Sequence, residues 1–192
     1  MNVVDANIIK SGLLSRNGAS NAVLMGMLEG TIPFAASAAI ILEYEDVLMR
    51  EGERSVLPLI GRAGVAAILD ALCRMCRQTP IFYRFRSFLS DPKDDLYVEC
   101  ALASRSDIII SFDGHFDHRD LSAFGLRRAV PRDILIKMGL ARHPHERCRH
   151  RALRRFGLTG QIRRARARCH GGSPHNPGRR RASGRRATAG LP

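Results

Sequence analysis

The stretch NVVDANIIKSG, residues 2–12, decides the fold of this chain. Its apolar start at Val3-Val4 is typical of a short strand, which ends at Asp5. The apolar pair Ile8-Ile9 then favours a helix that begins near Asn7. A carboxylate at the carboxyl end of the first strand of an α/β sheet lies where such sheets bind ligands. Asp5 is therefore the first candidate for a functional site, and a helix N-cap is its purely structural alternative.

Strands and helices alternate along residues 1–139. This alternation predicts one α/β domain with a mainly parallel central sheet and helices on both faces. From residue 140 the apolar pattern stops, and Gly, Pro, Arg and His dominate, which predicts a disordered tail over 140–192. The expected strands are residues 2–4, 32–36, 108–110 and 128–130, and residues 81–85 are either a weak strand or a connector. The expected helices are 7–14, 20–30, 37–49, 61–78, 91–104, a short one near 120, and 131–138.

The net charge of +13 comes from the tail alone. Residues 1–139 carry 16 Lys+Arg and 17 Asp+Glu, a balance of −1. Residues 140–192 carry 15 Arg and one acid, Glu146, a balance of +14. The domain therefore offers no strongly basic RNA groove, whereas the tail is expected to bind RNA or DNA without sequence preference at low salt.

The apolar runs, the first residues and the cysteine count together predict the cellular location. No apolar run approaches the roughly 18 residues needed to cross a membrane, and residues 1–12 lack the basic-then-apolar pattern of a secretory signal. We therefore expect a cytoplasmic protein. The five cysteines are an odd number, which argues against a disulfide framework. Cys73 and Cys76 form a single CxxC inside a helical apolar pattern, so we interpret them as helix cysteines rather than zinc ligands.

A second acid, Asp113, follows a buried strand as Asp5 does. The strand is the run Ile108-Ile109-Ile110, and the turn Ser111-Phe112-Asp113-Gly114-His115 comes after it. Parallel strands end at the same edge of a sheet, so Asp5 and Asp113 should lie on one edge. The structural alternative for Asp113 is turn formation, because Asp-Gly is a common turn pair.

Two helices supply further acids. Asp94 and Asp95 lie in the first turn of the helix that Asp91-Pro92 is expected to begin, and this helix is apolar nearly all round. The alternative role of these acids is a favourable interaction with the helix dipole, worth about 0.3–1 kcal/mol. Glu43 and Glu45 flank the apolar stripe of helix 37–49 on opposite sides, and periodicity does not choose between them or exclude a solvated face.

A cluster of these acids would need compensation. Carboxylates within about 4 Å of each other repel by about 4 kcal/mol per pair at an effective dielectric near 20. Protons or a cation would relieve that repulsion. Hard oxygen ligands without Cys or His favour Mg²⁺ or Mn²⁺.

The order and spacing of these segments resemble the PIN-domain ribonucleases, in particular the VapC-like toxins of bacterial toxin–antitoxin systems. The resemblance implies a three-layer PIN-like nuclease domain over residues 1–139, followed by the Arg-rich tail of 140–192. The segments that carry it are VVDAN at 3–7, LEYEDVL at 42–48, DPKDD at 91–95, IISFD at 109–113 and VPRDIL at 130–135.

The resemblance also implies an activity, a cofactor and partners. The expected activity is Mg²⁺- or Mn²⁺-dependent endoribonuclease cleavage that leaves a 3′-hydroxyl and a 5′-phosphate. The expected partners are an RNA substrate, a small antitoxin that blocks the acidic cleft, and a second copy of the chain in a homodimer. The implied catalytic residues are Asp5, Glu43, Asp95 and Asp113, the implied metal ligands are Asp5, Asp95 and Asp113, and the auxiliary residues are Asp94, Asn7, Ser111 and His115.

Three features depart from the family pattern. Ala6 stands where a small hydroxyl residue is common. In the turn at 111–115, His115 stands where the family has a second acid. A neutral imidazole there would be polar support without negative charge. The tail has no counterpart in the family, and a frameshift or an unusual stop position explains it slightly better than a nucleic-acid-binding arm does.

Two other functions compete with the nuclease. The first is a phosphatase or receiver-type domain with an Asp nucleophile on the first strand. A haloacid-dehalogenase-like site needs a second Asp two residues later, and this chain has Asn7 there. The second is a catalytically impaired PIN-like module that binds RNA or a partner, for which His115 is the main indication.

Overall fold

The computed structural model describes residues 1–52, 55–84, 93–117 and 119–140. Four sequence predictions therefore lie outside the described residues: the Asp91-Pro92 helix start, the end of the predicted weak strand or connector at Phe85, the disordered tail, and the nucleic-acid-binding role of that tail.

A parallel sheet forms the centre of the domain. In the described residues it has five strands, in the order β3-β2-β1-β4-β5, and every neighbouring pair is parallel. In the register of β1 with β4, Val3 pairs with Ile109 and Val4 with Ile110. The strands are β1 Asn2–Val4, β2 Phe34–Ala36, β3 Arg77–Gln78, β4 Ile108–Ile110 and β5 Arg127–Ala129.

Helices connect these strands in the order expected of parallel pairing. α5 contacts β1, β2 and β4, and α1 packs against α2 and α3. The helices are α1 Ala6–Leu14, α2 Ala19–Glu29, α3 Ala38–Met49, α4 Leu57–Met75, α5 Asp95–Ser104, α6 Arg119–Ala123 and α7 Pro131–Lys137, with a 3-10 helix at Gly114–Asp117.

The central strands are covered on both faces. Successive strand residues point to opposite faces, yet Val3, Val4, Ile109 and Ile110 are all fully buried. This burial confirms the predicted α/β fold of three layers, because only helices on each side of the sheet can exclude water from both faces. No helix in the described parts of the chain is long and apolar enough to span a bilayer.

The prediction for residues 61–85 was partly wrong. The helix begins earlier, at Leu57, and Gly61 interrupts it with φ 69°, a conformation that glycine adopts without strain. The helix also ends earlier, because Arg77 and Gln78 leave it and pair with β2 as a strand. Residues 81–84, the described part of the predicted weak strand or connector, form no strand and so agree with the connector. Backbone pairing with the open edge of β2 therefore overrides the helical pattern at 77–78.

The buried helix after the second gap also starts later than predicted. In the described residues α5 begins at Asp95, Asp94 is its N-cap residue, and Tyr97 N donates to Asp94 O at 3.1 Å. The two adjacent acids therefore have different surroundings: Asp94 precedes the helix, whereas Asp95 lies inside its first turn and is buried.

Candidate functional site

The strand order creates a crevice beside β1. After β1 the chain adds β2 and then β3 on one side of β1, and it then crosses to the other side to add β4. The crevice lies outside the carboxyl ends of β1 and β4. Ligands bind outside the carboxyl ends of the strands at such a switch point. Asp5 follows β1 directly and Ser111 follows β4 directly, and Asp5 N donates to Ile110 O at 3.0 Å. The predicted convergence of these strand ends is therefore present.

The two carboxylate oxygens of Asp5 have different partners. Its Oδ1 accepts a hydrogen bond from Asn7 N at 2.9 Å and so caps α1. Its Oδ2 accepts a hydrogen bond from Ser111 Oγ at 2.6 Å. The residue is only 5% exposed. The N-cap alternative from the sequence is correct, and it coexists with a position in the crevice.

Ser111 connects the two strand-ending acids. It is fully buried, and its Oγ donates to Asp5 while it accepts from Asp113 N at 2.9 Å. A serine is suited to this place because one hydroxyl can both donate and accept. The resemblance implies an auxiliary role for Ser111, which stays a prediction, and its hydroxyl links the Asp5 carboxylate with the Asp113 backbone.

Asp94, Asp113 and His115 form the densest group of potential metal ligands in the described residues. One ligand atom from each lies within 4.8 Å of the others. His115 Nδ1 is 3.4 Å from Asp113 Oδ1 and 3.6 Å from Asp94 Oδ2. The group opens to solvent, since the Asp113 and His115 side chains are 42% and 51% exposed and that of Asp94 is 17% exposed.

The electrostatics of Asp5 reflect this neighbourhood. Burial raises the pKa of the Asp5 carboxyl, and the negative charge of Asp113 raises it further. The hydrogen bonds from Ser111 and Asn7 act in the opposite direction and lower it. Asp5 is therefore a carboxylate that a nearby cation would stabilise.

The buried hydroxyl of Tyr97 is influenced by Glu43 and Asp94 as well as by Asp5. It accepts a hydrogen bond from Ala6 N at 3.1 Å. Burial raises the pKa of Tyr97, and the charges of Asp5, Glu43 and Asp94 raise it as well. The charges of Asp5, Glu43 and Asp94 therefore all act on one buried hydroxyl, that of Tyr97.

The surroundings of Glu43 and Glu45 differ, and so do those of Asp94 and Asp95, although helical periodicity does not separate Glu43 from Glu45. Glu43 is 25% exposed in its side chain and lies 3.9 Å from Arg50, whereas Glu45 is exposed. Of the neighbouring acids, Asp94 belongs to the group with Asp113 and His115, and Asp95 does not. The resemblance implies Asp95 as the metal ligand and Asp94 as an auxiliary residue, and this assignment stays a prediction.

Sequence reasoning missed the tyrosines. Tyr44 falls on the apolar stripe of the helix predicted at 37–49, yet its hydroxyl donates to Val4 O at 2.5 Å, at the end of β1. Tyr97 lies in a nearly all-apolar helix and contacts the first residue of α1. A buried tyrosine hydroxyl usually finds a hydrogen-bond partner, and this rule was the available signal.

Sequence reasoning also missed Arg128. Its guanidinium donates to both carboxylate oxygens of Asp117, at 2.8 and 2.5 Å, and to Ser111 O at 3.5 Å. These bonds fix the turn that carries Asp113 and His115 to β5. A basic residue on a predicted edge strand gave no specific signal for this role.

The donor set fits a divalent cation. It contains two carboxylates and one imidazole within reach of each other, with the buried Asp5 carboxylate close to Asp113. Oxygen-rich sites of this kind suit Mg²⁺ and Mn²⁺, and an imidazole suits transition metals. The two half-buried cysteines of α4, Cys73 and Cys76, contribute to no such group among the described residues.

Comparisons with known proteins agree with this geometry. A family model described as the PIN domain matches residues 2–115. No curated protein and no solved structure matches the chain. The matched segment covers more than half of the chain and includes β1, β4 and the candidate site residues from Asp5 to His115. The chain therefore belongs to the PIN domain family.

Proposed function

We propose that this PIN-domain protein is a metal-dependent endoribonuclease that hydrolyses RNA phosphodiester bonds. The observation that supports this most strongly is the group of Asp94, Asp113 and His115, with Ser111 Oγ linking Asp113 to the Asp5 carboxylate at the switch point of the sheet. The family supplies the nuclease-type fold. Phosphoryl transfer depends largely on positioning and on stabilising negative charge, which a crevice of this kind can provide with a cation.

The cation would be Mg²⁺ or Mn²⁺. When bound, it would lower the pKa of a water molecule and stabilise negative charge on the phosphoryl oxygens. Asp113 and Asp94 would hold it at the open side of the crevice, and Asp5 would supply charge from the buried side. Asp95 as a ligand remains a prediction from the resemblance, and Asp94 has the better-supported position.

Other residues would position these ligands. Ser111 orients the Asp5 carboxylate and the Asp113 backbone through its hydroxyl. Asn7 donates from its backbone to Asp5. Glu43 is near enough to Tyr97 to influence its pKa, which supports a role for Glu43 at the Asp5 side of the crevice. As the family resemblance implies, hydrolysis would leave a 3′-hydroxyl and a 5′-phosphate.

The biological setting is part of the proposal. The likeness to VapC-like proteins supports a toxin that acts in the cytoplasm, forms a homodimer and is held inactive by a small antitoxin. Co-expression with the product of a small neighbouring reading frame tests this setting. Joint purification with loss of ribonuclease activity supports it, and growth arrest that no neighbouring gene relieves opposes it.

A ribonuclease assay with four proteins tests the activity. Wild type should cleave single-stranded RNA with Mn²⁺ and stop when EDTA is added. Asp5→Asn and Asp113→Asn should each lose at least about 100-fold, because losing even a partner of a metal ligand costs about 10–100-fold. Asp107→Asn is the matched control, since Asp107 is exposed and precedes the same β4 strand at its opposite end. Equal cleavage by Asp5→Asn and wild type would refute the assignment.

The second candidate is a catalytically impaired module that binds RNA or a partner. The observation that favours it is His115, which stands where the family has an acid and so removes one negative charge from the turn. Gel-shift measurements on the same proteins separate the two functions. RNA binding without cleavage in wild type, with any divalent cation, would favour the binding module.

A further inference from the structure

The His115 ring lies against the two acids on the open side of the crevice. Its Nδ1 is 3.4 Å from Asp113 Oδ1 and 3.6 Å from Asp94 Oδ2. Ligand atoms about 2.1 Å from an octahedral ion lie about 3–4 Å apart. The separations of these atoms therefore suit binding to one shared cation.

The turn holds His115 in this position. His115 N donates to Asp113 Oδ1 at 2.9 Å, so the acid that would bind the cation also fixes the histidine backbone. Phe116, the next residue, is 1% exposed and anchors the segment in the core. Arg128 secures the end of the same segment through Asp117. The imidazole itself is half exposed, which leaves it accessible to a hydrated ion.

We propose that His115 Nδ1 binds the cation directly, together with Asp94 and Asp113, and that this nitrogen makes the site select Mn²⁺ and later first-row ions over Mg²⁺. The inference rests on the proposed function for the presence of a divalent cation. Mg²⁺ prefers oxygen ligands in near-ideal octahedral geometry, whereas imidazole suits transition metals. An acid at position 115 would supply oxygen in place of nitrogen and favour Mg²⁺.

Electron paramagnetic resonance on the purified full chain tests the ligand. Mn²⁺ is added to metal-free protein, and the loss of the free-ion signal gives its dissociation constant, while competition gives that of Mg²⁺. Electron spin echo envelope modulation then detects nitrogen bound to Mn²⁺. The proteins are wild type, His115→Asp, His115→Ala and the Asp107→Asn control, each checked for folding by its thermal melt.

The expected results are specific to a nitrogen ligand. Wild type and Asp107→Asn should show nitrogen coupling, and both His115 variants should lose it. Since His115→Asp replaces nitrogen by oxygen, it should lower the preference for Mn²⁺ over Mg²⁺ by about tenfold. His115→Ala should weaken Mn²⁺ binding by at least about tenfold while the thermal melt without metal stays unchanged.

Three outcomes would overturn the inference. Nitrogen coupling that persists in both His115 variants would assign the signal to another histidine. Mn²⁺ binding without nitrogen coupling in wild type would leave a cation site of oxygen ligands and remove His115 from it. No Mn²⁺ binding in wild type would overturn the inference, and cleavage that continues in EDTA would in addition refute the metal dependence of the proposed function, which distinguishes the two failures.

Discussion

The Ser111→Ala substitution is the sharpest test of how the crevice is held together. The Ser111 hydroxyl is fully buried and makes two hydrogen bonds, one to the Asp5 carboxylate and one from Asp113 N. A hydrogen bond to a charged group contributes about 1.5–3 kcal/mol, and a neutral one about 0.5–1.5 kcal/mol. The substitution should therefore lower the free energy of unfolding by about 2–4 kcal/mol at neutral pH.

The loss should depend on pH. Burial already raises the pKa of Asp5 above its ordinary value of 3.8, and the Ser111 hydrogen bond lowers it. Without that bond the pKa of Asp5 in the folded protein rises further. A raised pKa means that the folded state binds the proton more tightly than the unfolded state, so stability is gained as pH falls through the folded pKa. The variant should gain more than wild type, and its deficit should shrink as the pH falls.

Urea unfolding in EDTA over a series of pH values measures both effects. Ser106→Ala is the control, because Ser106 is also buried and shares a 2.7 Å hydrogen bond with Ser104, between two neutral hydroxyls. It should cost about 0.5–1.5 kcal/mol at every pH. A Ser111→Ala loss that is independent of pH, or no larger than that of Ser106→Ala, would refute the hydrogen-bonding role assigned to Ser111.

Three further results are expected. Tyr97→Phe should lower the free energy of unfolding by about 1–3 kcal/mol in urea, because it leaves the buried Ala6 N–H without its acceptor. Gly12→Ala should lower it by about 1–3 kcal/mol, since a Cβ there would lie 2.8 Å from Ser20 O, whereas Gly114→Ala, with nothing within 4 Å, should change it little. Mn²⁺ at about a hundredfold excess over its dissociation constant should add about 2.7 kcal/mol of stability, read from the thermal melt and reversed by EDTA.

Each of these has a contrary result. A Tyr97→Phe protein as stable as wild type would mean that another group satisfies the Ala6 N–H. Equal effects of the two glycine substitutions would contradict the close approach of α1 and α2. A melting temperature indifferent to Mn²⁺ would count against any cation in the crevice.

The sequence was sufficient to predict the meeting of Asp5 and Asp113. Both acids end strands, and the parallel arrangement alone puts such positions at one edge. The sequence pattern could not choose between Asp94 and Asp95. Neighbouring helical residues point about 100° apart, and the predicted helix start, at Asp91-Pro92, comes before the observed one. The direction of each side chain depends on where α5 begins, and in the described residues α5 begins at Asp95.

The remaining differences have tertiary causes. The strand Arg77–Gln78 forms because β2 offers an open edge, which no local pattern reports. The hydrogen bond from Ala6 N to the Tyr97 hydroxyl is not predicted, because an apolar pattern along a helix carries no information about a tyrosine hydroxyl. Glu43 could be preferred to Glu45 only through the family resemblance, and the exposure of Glu45 agrees with that preference.

Position 5 has an evolutionary consequence. The same carboxylate begins a helix with one oxygen and serves the crevice with the other. Asparagine caps helices about as well as aspartate. If the proposed nuclease function holds, a homologue that no longer needs the site can therefore carry Asn at this position and keep its helix cap, whereas Ala would lose the cap as well. Homologues that have lost the nuclease activity should therefore carry Asn at this position far more often than Ala.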